Sequence, residues 1–357
     1  MLSPTEQLHQ YYITNYTKCV KDDSFLSSWQ ALAYSTHISS VISVPLFLLG
    51  GYCILFKTPT VMNQMKWVLF NAHMWFALMD FCLNIGMTPY IFIPLPAGFP
   101  LGIFSLLGVP TPVQIYLVFV ILYTAVVSMT ILFENRYSNM PMNKYSIERT
   151  TTKVIYRGVR FTLSLVVQLP LFYIAPDQDV AKLEALKIIP CPTEIYFHAK
   201  IYIWAYEPST ILSMILIGSL VVVTEFVQMW FFIISCIYYL FFTSSGNISP
   251  KTRKLQKRWL FNTVIQVVVP IILALLPFSA ILYMIYIKRY NQAFTNILVL
   301  IGSLHNTFTT ITVLYVFKPY RDFLHQVVYR RKYQGRAMYS PKPEASVSHI
   351  VAPVQLS

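Results

Sequence analysis

Charged residues are scarce in this chain: Asp, Glu, Lys and Arg make up 11% of its 357 residues. A water-soluble globular domain carries about 25%, so the composition argues against that class. Glycine is also scarce, at 11 residues, and no Walker-type loop is present. The five cysteines form no CxxC pair, which excludes the common zinc and thioredoxin-like motifs. Without HExxH or GxSxG either, the sequence predicts no enzyme, no cofactor and no metal site.

Long apolar stretches fill most of the chain instead, and hydrophobic residues are 56% of the total. A helix needs about 20 apolar residues to cross a bilayer, and seven stretches reach that length. In lipid each must satisfy its own backbone hydrogen bonds, so all seven are predicted to be helices. The predicted fold class is an all-α membrane protein, a single bundle of seven transmembrane helices. We number the predicted spans one to seven: 32–56, 67–93, 113–133, 154–175, 209–242, 259–287 and 290–317.

Basic residues lie mainly on one side of these spans. If the N-terminus is outside, 20 of the 27 lysines and arginines fall in the inner segments. The positive-inside rule therefore predicts an outer segment 1–31 and a cytoplasmic C-terminus. Residues 318–337 are predicted to form an amphipathic helix along the inner leaflet, and 338–357 a disordered tail. The net charge of +13 is then a consequence of topology and lipid contact, with no nucleic-acid partner predicted.

Three features of the outer segments are informative. Cys19 and Cys191 are the only cysteines there, so a disulfide between them is predicted, with two free thiols as the alternative. Asn15 begins an Asn-Tyr-Thr glycosylation acceptor sequence. The loop 176–208 is long and rich in aromatic residues, which favours a folded lid over the outer mouth of the bundle.

A few polar residues lie inside the predicted spans. Asp80 is near the middle of span two and Glu225 near the middle of span five. Ionisable groups at this depth usually face a cavity or a partner. Three interpretations stay open: a water or ion site, a contact that changes between conformations, or a neutral carboxyl group hydrogen-bonded within the bundle. His305 and Asn306 of span seven are predicted to form structural hydrogen bonds across the bundle.

The predicted inner ends of spans three and seven carry short motifs. Span three ends with Phe133-Glu134-Asn135-Arg136-Tyr137, which resembles the Glu/Asp-Arg-Tyr element of rhodopsin-like receptors. Arg136 could pair with Glu134 at rest and be released toward a cytoplasmic partner. Span seven ends with Phe317-Lys318-Pro319-Tyr320-Arg321, where those receptors have a proline-tyrosine motif. The alternative is simple accumulation of basic residues at inner helix ends.

Together these pieces resemble the nematode serpentine receptor class H (Srh) family of seven-transmembrane chemoreceptors, within the Str superfamily. The resemblance covers nearly the whole chain and includes Pro190-Cys191-Pro192, and Leu255-Gln256-Lys257 leading into Gln266 and Pro270. It also includes Thr309-Thr310 before the span-seven motif. Asn306 departs from the family, which is expected to have glycine after the histidine of span seven.

The resemblance implies a chemosensory G-protein-coupled receptor in the plasma membrane of sensory cilia. Its implied partners are the lipid bilayer, a heterotrimeric G protein and an extracellular small-molecule or peptide cue; the oligomeric state is left open. Arg136 would be the central G-protein contact and Glu134 its restraint, supported by Tyr137, Tyr320 and Arg321. Residues predicted for an outer ligand pocket are Gln114, Tyr116, Tyr123, Ser279 and Tyr283.

A multi-span transporter and a ligand-gated channel subunit are the alternative classes. A transporter more often shows internal repeats and broken, glycine-rich spans, and neither is visible in this sequence. A channel subunit of the insect odorant-receptor kind has its N-terminus inside, which the distribution of basic residues opposes.

Overall fold

The computed structural model of the chain describes residues 2–20, 22, 24–140, 149–170, 175–242 and 249–338. Its α-helices are α1 (Pro4–Thr14), α2 (Trp29–Phe56), α3 (Asn63–Phe81), α4 (Ile103–Leu106), α5 (Thr111–Ser138), α6 (Thr150–Val166), α7 (Gln178–Ile188), α8 (Ile195–His198), α9 (Pro208–Phe241), α10 (Pro250–Tyr286), α11 (Gln292–Val316) and α12 (Lys318–Met338). Its strands are β1 (Pro89–Ile91), β2 (Ala97–Pro100) and β3 (Tyr202–Ile203).

Six helices within the described ranges are long and apolar enough to cross a membrane. They are α2, α3 with the π-turn after it, α5, α9, α10 and α11, at the positions predicted for spans one, two, three, five, six and seven. Helix α6 has 17 residues and holds the position of span four. The rest of that predicted span includes 171–174, which lie outside the described residues. We keep the span numbers for these seven helices.

The predicted end of span two was wrong. The α-helix stops at Phe81, a π-helical turn covers Cys82–Gly86, and strand β1 follows instead of helix up to residue 93. Thr88 has a positive φ of 44°, which a helix cannot contain, and Pro89 has no N–H to continue one. Hydrophobicity alone does not distinguish a short buried strand from the end of an apolar helix.

Spans three and six are longer than predicted at the ends that carry polar residues. Span three continues past residue 133 to Ser138, and span six begins at Pro250. The Ser249 hydroxyl caps span six by accepting the Thr252 N–H at 3.2 Å, a common helix N-terminus. A search for apolar runs excludes such extensions, because they continue the helix with charged residues.

The predicted all-α membrane bundle is confirmed, and one small sheet lies beside its helices. Strands β1, β2 and β3 form an antiparallel sheet in that order, with Tyr90 opposite Phe99 and Gly98 opposite Tyr202. A Cβ atom on Gly98 would collide with the carbonyl oxygen of Tyr90. Glycine is therefore required where these two strands approach.

The N-terminal segment and the loop between spans four and five fold together over one end of the bundle. We call α1, the sheet, α7 and α8 the cap, and this end the capped end. A Cys19–Cys191 disulfide joins the two segments, with Cα atoms 5.7 Å apart. The loop predicted as a lid is thus folded. Its apolar interior includes Leu32, Tyr90, Phe92, Leu95, Leu186, Ile189, Tyr196 and Ile203.

Hydrogen bonds inside the cap fix its buried tyrosines. The Tyr90 hydroxyl donates to the Ser27 carbonyl at 2.6 Å, and the Tyr196 hydroxyl donates to the Lys182 carbonyl at 2.9 Å. Burial raises the pKa of Tyr196 above its usual range. The group therefore remains a neutral donor, and the cap has no titrating switch at this position.

The opposite end, which we call the basic end, has its own apolar core. Spans one, two, three, five, six and seven contribute to it, and α12 closes it through Tyr320. A helix thus follows span seven, as predicted. Residues 339–357, most of the tail predicted to be disordered, lie outside the described residues. The buried members include Ile54, Leu69, Leu132, Phe133, Tyr137, Phe232, Val267, Leu314 and Tyr320.

Candidate functional site

Glu134 at the basic end pairs with span four. Its buried carboxylate accepts the Arg157 Nη2 at 2.6 Å and Nε at 3.0 Å, and the Ser138 hydroxyl at 2.7 Å. The predicted Glu134–Arg136 pair was therefore wrong. Residues two apart point to different sides of a helix and do not face each other. Glu134 instead joins spans three and four.

Arg136 faces span six instead. One guanidinium nitrogen donates to the hydroxyl of Thr263, and the Thr263 hydroxyl in turn donates to the Trp259 carbonyl at 2.9 Å. The buried Nε of Arg136 has no hydrogen-bond partner in the described part of the chain. Arg136 is partly buried, and removing a cation from water is costly unless it is paired. At the basic end, spans three and six are thus joined through a charge bonded to a neutral hydroxyl.

The other three residues predicted for this end occupy different surroundings. Tyr137 is buried among the aromatic rings of span five, including Phe232, whose centroid lies 5.4 Å away. The Tyr320 hydroxyl lies 2.7 Å from the hydroxyl of Thr58 after span one. Arg321 lies on the surface over Tyr315 and donates to its carbonyl at 3.3 Å. Tyr137 and Tyr320 share the basic-end core, whereas Arg321 does not.

Glu225 forms an ion pair that the sequence analysis missed. Its carboxylate pairs with Arg160 of span four, and the two side chains are 4% and 7% exposed. Tyr123 and Thr130 of span three donate to the same carboxylate at 3.0 and 3.1 Å. The count of basic residues placed Arg160 in an inner segment, although the predicted span four, 154–175, already includes it. The available signal was Glu225 itself, because a charge within a span needs a partner.

Asp80 of span two contacts span one. The Ser43 hydroxyl donates to its Oδ2 at 2.8 Å, while Oδ1 has no hydrogen-bond partner among the described residues. Asn306 of span seven donates to the Phe76 carbonyl of span two, so it bonds across the bundle as predicted. His305 does not: its Nδ1 lies 2.6 Å from the Gly302 carbonyl of its own helix.

The five residues predicted to line a ligand pocket do not meet in one. The Gln114 side chain is buried and donates to the Val109 carbonyl at 2.8 Å, and the Tyr116 hydroxyl donates to the Leu165 carbonyl at 3.0 Å. Tyr123 belongs to the Glu225 network. Ser279 donates to the Leu276 carbonyl of its own helix and Tyr283 is 62% exposed, so both face away from the bundle.

One cavity lies at the capped end between spans five and six. Its volume is about 230 Å³, and its walls include Ile211, Leu212 and Ile215 of span five and Ile285 of span six. Leu95 of the cap and Lys288 after span six also line it. None of the residues predicted for ligand binding lines this cavity. Helical register explains this error, since lipid-facing and inward-facing positions of these spans are equally apolar.

A bundle of apolar helices with buried interhelical charges and a folded cap defines a multi-span membrane protein. The chain matches the family described as serpentine type 7TM GPCR chemoreceptor Srh across residues 27–330. It is similar to Serpentine receptor class H-72 of Caenorhabditis elegans, with 31% identity over 326 residues, 91% of this chain and 94% of that protein. This chain therefore belongs to the Srh family of seven-transmembrane chemoreceptors, whose members are receptors and not enzymes.

Proposed function

We propose that this chain is a chemosensory G-protein-coupled receptor of the plasma membrane, carried on sensory cilia, with its N-terminus outside. A cue binds toward the capped end, and a heterotrimeric G protein binds at the basic end. The observation that supports this best is the Arg136–Thr263 contact between spans three and six. It gives the bundle a charged group that a partner protein can recruit when span six moves.

The geometry replaces the simpler mechanism of an acid that restrains the arginine. Glu134 stays with Arg157, so that ion pair fastens span four to span three and can persist in both states. Movement of span six alone breaks the bond to Arg136. Span six contains Pro270 and Pro277, which interrupt its backbone hydrogen bonds and allow it to bend.

The energetic requirement is modest. A ligand must bind the open state more tightly than the closed state, and coupling of about 1–3 kcal/mol between sites is typical. A hydrogen bond to a charged group contributes about 1.5–3 kcal/mol. The Arg136–Thr263 contact is thus of the right size to hold the closed state and yet be overcome by a ligand.

This proposal can be tested without knowing the ligand, through basal nucleotide exchange on a G protein in reconstituted membranes. Thr263→Val removes the acceptor, so basal exchange should rise several-fold. Thr312→Val is the matched control, because among the described residues the Thr312 hydroxyl bonds only the Phe308 carbonyl of its own helix, and exchange should stay at the wild-type rate. Arg136→Ala should abolish exchange both in the wild-type receptor and in the Thr263→Val receptor. A Thr263→Val, Arg136→Ala receptor as active as Thr263→Val would contradict the role of Arg136.

A further inference from the structure

Spans five and six stand apart toward the capped end. Within span five every buried residue lies at Glu225 or beyond, toward the basic end, and residues 208–224 include none. Span five packs mainly against span three, and span six mainly against span seven. The two helices therefore leave a cleft between them in the capped half of the bundle.

The cavity of about 230 Å³ occupies the upper part of this cleft. Leu95 of the cap, 1% exposed, forms part of its roof, whereas Leu212 in its wall is 56% exposed. The open side of the cavity is therefore between the two helices, toward the bilayer. Ligand pockets usually measure about 300–1,000 Å³, so this cavity fits a short, slender apolar chain.

Lys288 provides a cation at the rim of the cavity. It has a φ of +52°, in the left-handed region that L residues other than Asn rarely adopt. The Lys288 and Arg289 N–H groups donate back to the carbonyls of Ile285 and Met284 at 3.2 and 3.1 Å. This is the Schellman ending of a helix, in which the left-handed position is usually glycine. A lysine at this position adopts an unfavourable backbone conformation, but it places a charged side chain beside the cavity.

The charge of Lys288 is not otherwise accounted for. Ion pairs among the described residues are Glu134–Arg157, Glu225–Arg160 and Glu184–Lys187, and none includes Lys288. The positive-inside rule also predicts few cations on the outer side, which is where the proposed function places this end. An apolar cavity with an unpaired cation at its rim matches a ligand that has an apolar tail and an anionic head.

We propose that the cleft between spans five and six is the receptor's ligand site for a single-chain anionic amphiphile, such as a short alkyl carboxylate. The alkyl tail lies between Leu212, Ile215 and Ile285, and the carboxylate accepts from the Lys288 ammonium group. The ligand enters from the bilayer, because the cap covers the end of the bundle. This inference rests on the proposed function, since it identifies the chemical class of the cue.

Binding of octanoate to the full-length receptor in phosphatidylcholine nanodiscs tests this assignment. Octanoate should bind at least about tenfold more tightly than methyl octanoate, because only the acid forms a charged hydrogen bond. Lys288→Gly should remove this preference while keeping or raising the unfolding temperature, since glycine suits the left-handed backbone. Lys288→Arg should keep the preference. Arg289→Gln, which changes the neighbouring cation outside the cavity lining, should keep it as well.

Leu212→Trp tests the tail site separately. Leu212 is half exposed, so tryptophan can be accommodated there, and its ring should fill the cavity and weaken binding of both ligands. Equal binding of octanoate and methyl octanoate by the wild type would overturn the inference, as would an unchanged preference in Lys288→Gly. Octanoate binding that survives Arg136→Ala supports it, even if G-protein activation fails. Normal basal exchange by a receptor that does not bind octanoate would overturn this inference alone.

Discussion

The two ends of this molecule are held together by different forces. The capped end combines a disulfide, a three-stranded sheet and an apolar cluster in which tyrosine hydroxyls bond backbone carbonyls. At the basic end an apolar core adjoins two charges, the buried Glu134 and the partly buried Arg136, which belong to different contacts. One contact is an ion pair and the other is a single bond to a neutral hydroxyl. A structure with one fastened end and one releasable end is suited to carry a signal between them.

The Arg160–Glu225 pair marks the boundary between these regions, and breaking it should have the largest effect on stability. Arg160→Met leaves a buried carboxylate without its cation, which typically costs about 3–5 kcal/mol. Thermal unfolding in nanodiscs should show a large loss. Arg160→Met combined with Glu225→Gln should recover much of it, because no unpaired charge remains. A single variant as stable as the wild type would show that the pair does not fasten spans four and five.

The disulfide should have the next largest effect, confined to the capped end. The bridged residues are 172 positions apart, and loss of a native disulfide typically costs about 2–5 kcal/mol. Cys19→Ser, Cys191→Ser and the double variant should lose surface delivery to the same extent, since each removes the same bond. The fraction that reaches the membrane should keep wild-type basal exchange. Altered exchange would contradict the separation of the two ends.

The Asn15 acceptor should have the smallest effect and reports on orientation. Asn15 caps the end of α1 and is exposed, so a glycan there does not disturb the cap. If the capped end faces outside, Asn15→Gln should remove one glycan's worth of mass on a gel while leaving the unfolding temperature unchanged. If the wild type runs at the same gel position before and after glycosidase treatment, Asn15 carries no glycan.

Much of the fold could be predicted because lipid imposes a simple rule. Apolar runs of about 20 residues can satisfy their backbone groups only as helices. Among the described residues, six of the predicted spans are helices of that kind, and a 17-residue helix lies at the position of span four. The rule did not predict the strand Pro89–Ile91, because three residues inside an apolar run are too few to show the alternating pattern of a strand. The rule also did not predict that span six begins at Pro250, because charged residues form the first turns of that helix.

The site was less predictable, because sequence neighbours on a helix are not spatial neighbours. Glu134 and Arg136 lie two residues apart in the sequence but point to spans four and six. Arg160 was assigned to an inner segment by its charge, although Glu225 in span five required a buried cation. Ser279 and Tyr283 were placed at the correct depth on the wrong face, since a span in lipid has no polar face to fix its rotation.

The central claim is that span six leaves span three at the basic end when a G protein binds. Spin labels on Asn139→Cys and Lys254→Cys, both exposed positions at this end of spans three and six, report their separation by pulsed electron paramagnetic resonance. The account predicts one short distance for the receptor alone and a population several ångströms longer with nucleotide-free G protein. It also predicts that Thr263→Val populates the longer distance without G protein. A distance that stays the same in all three samples would contradict it.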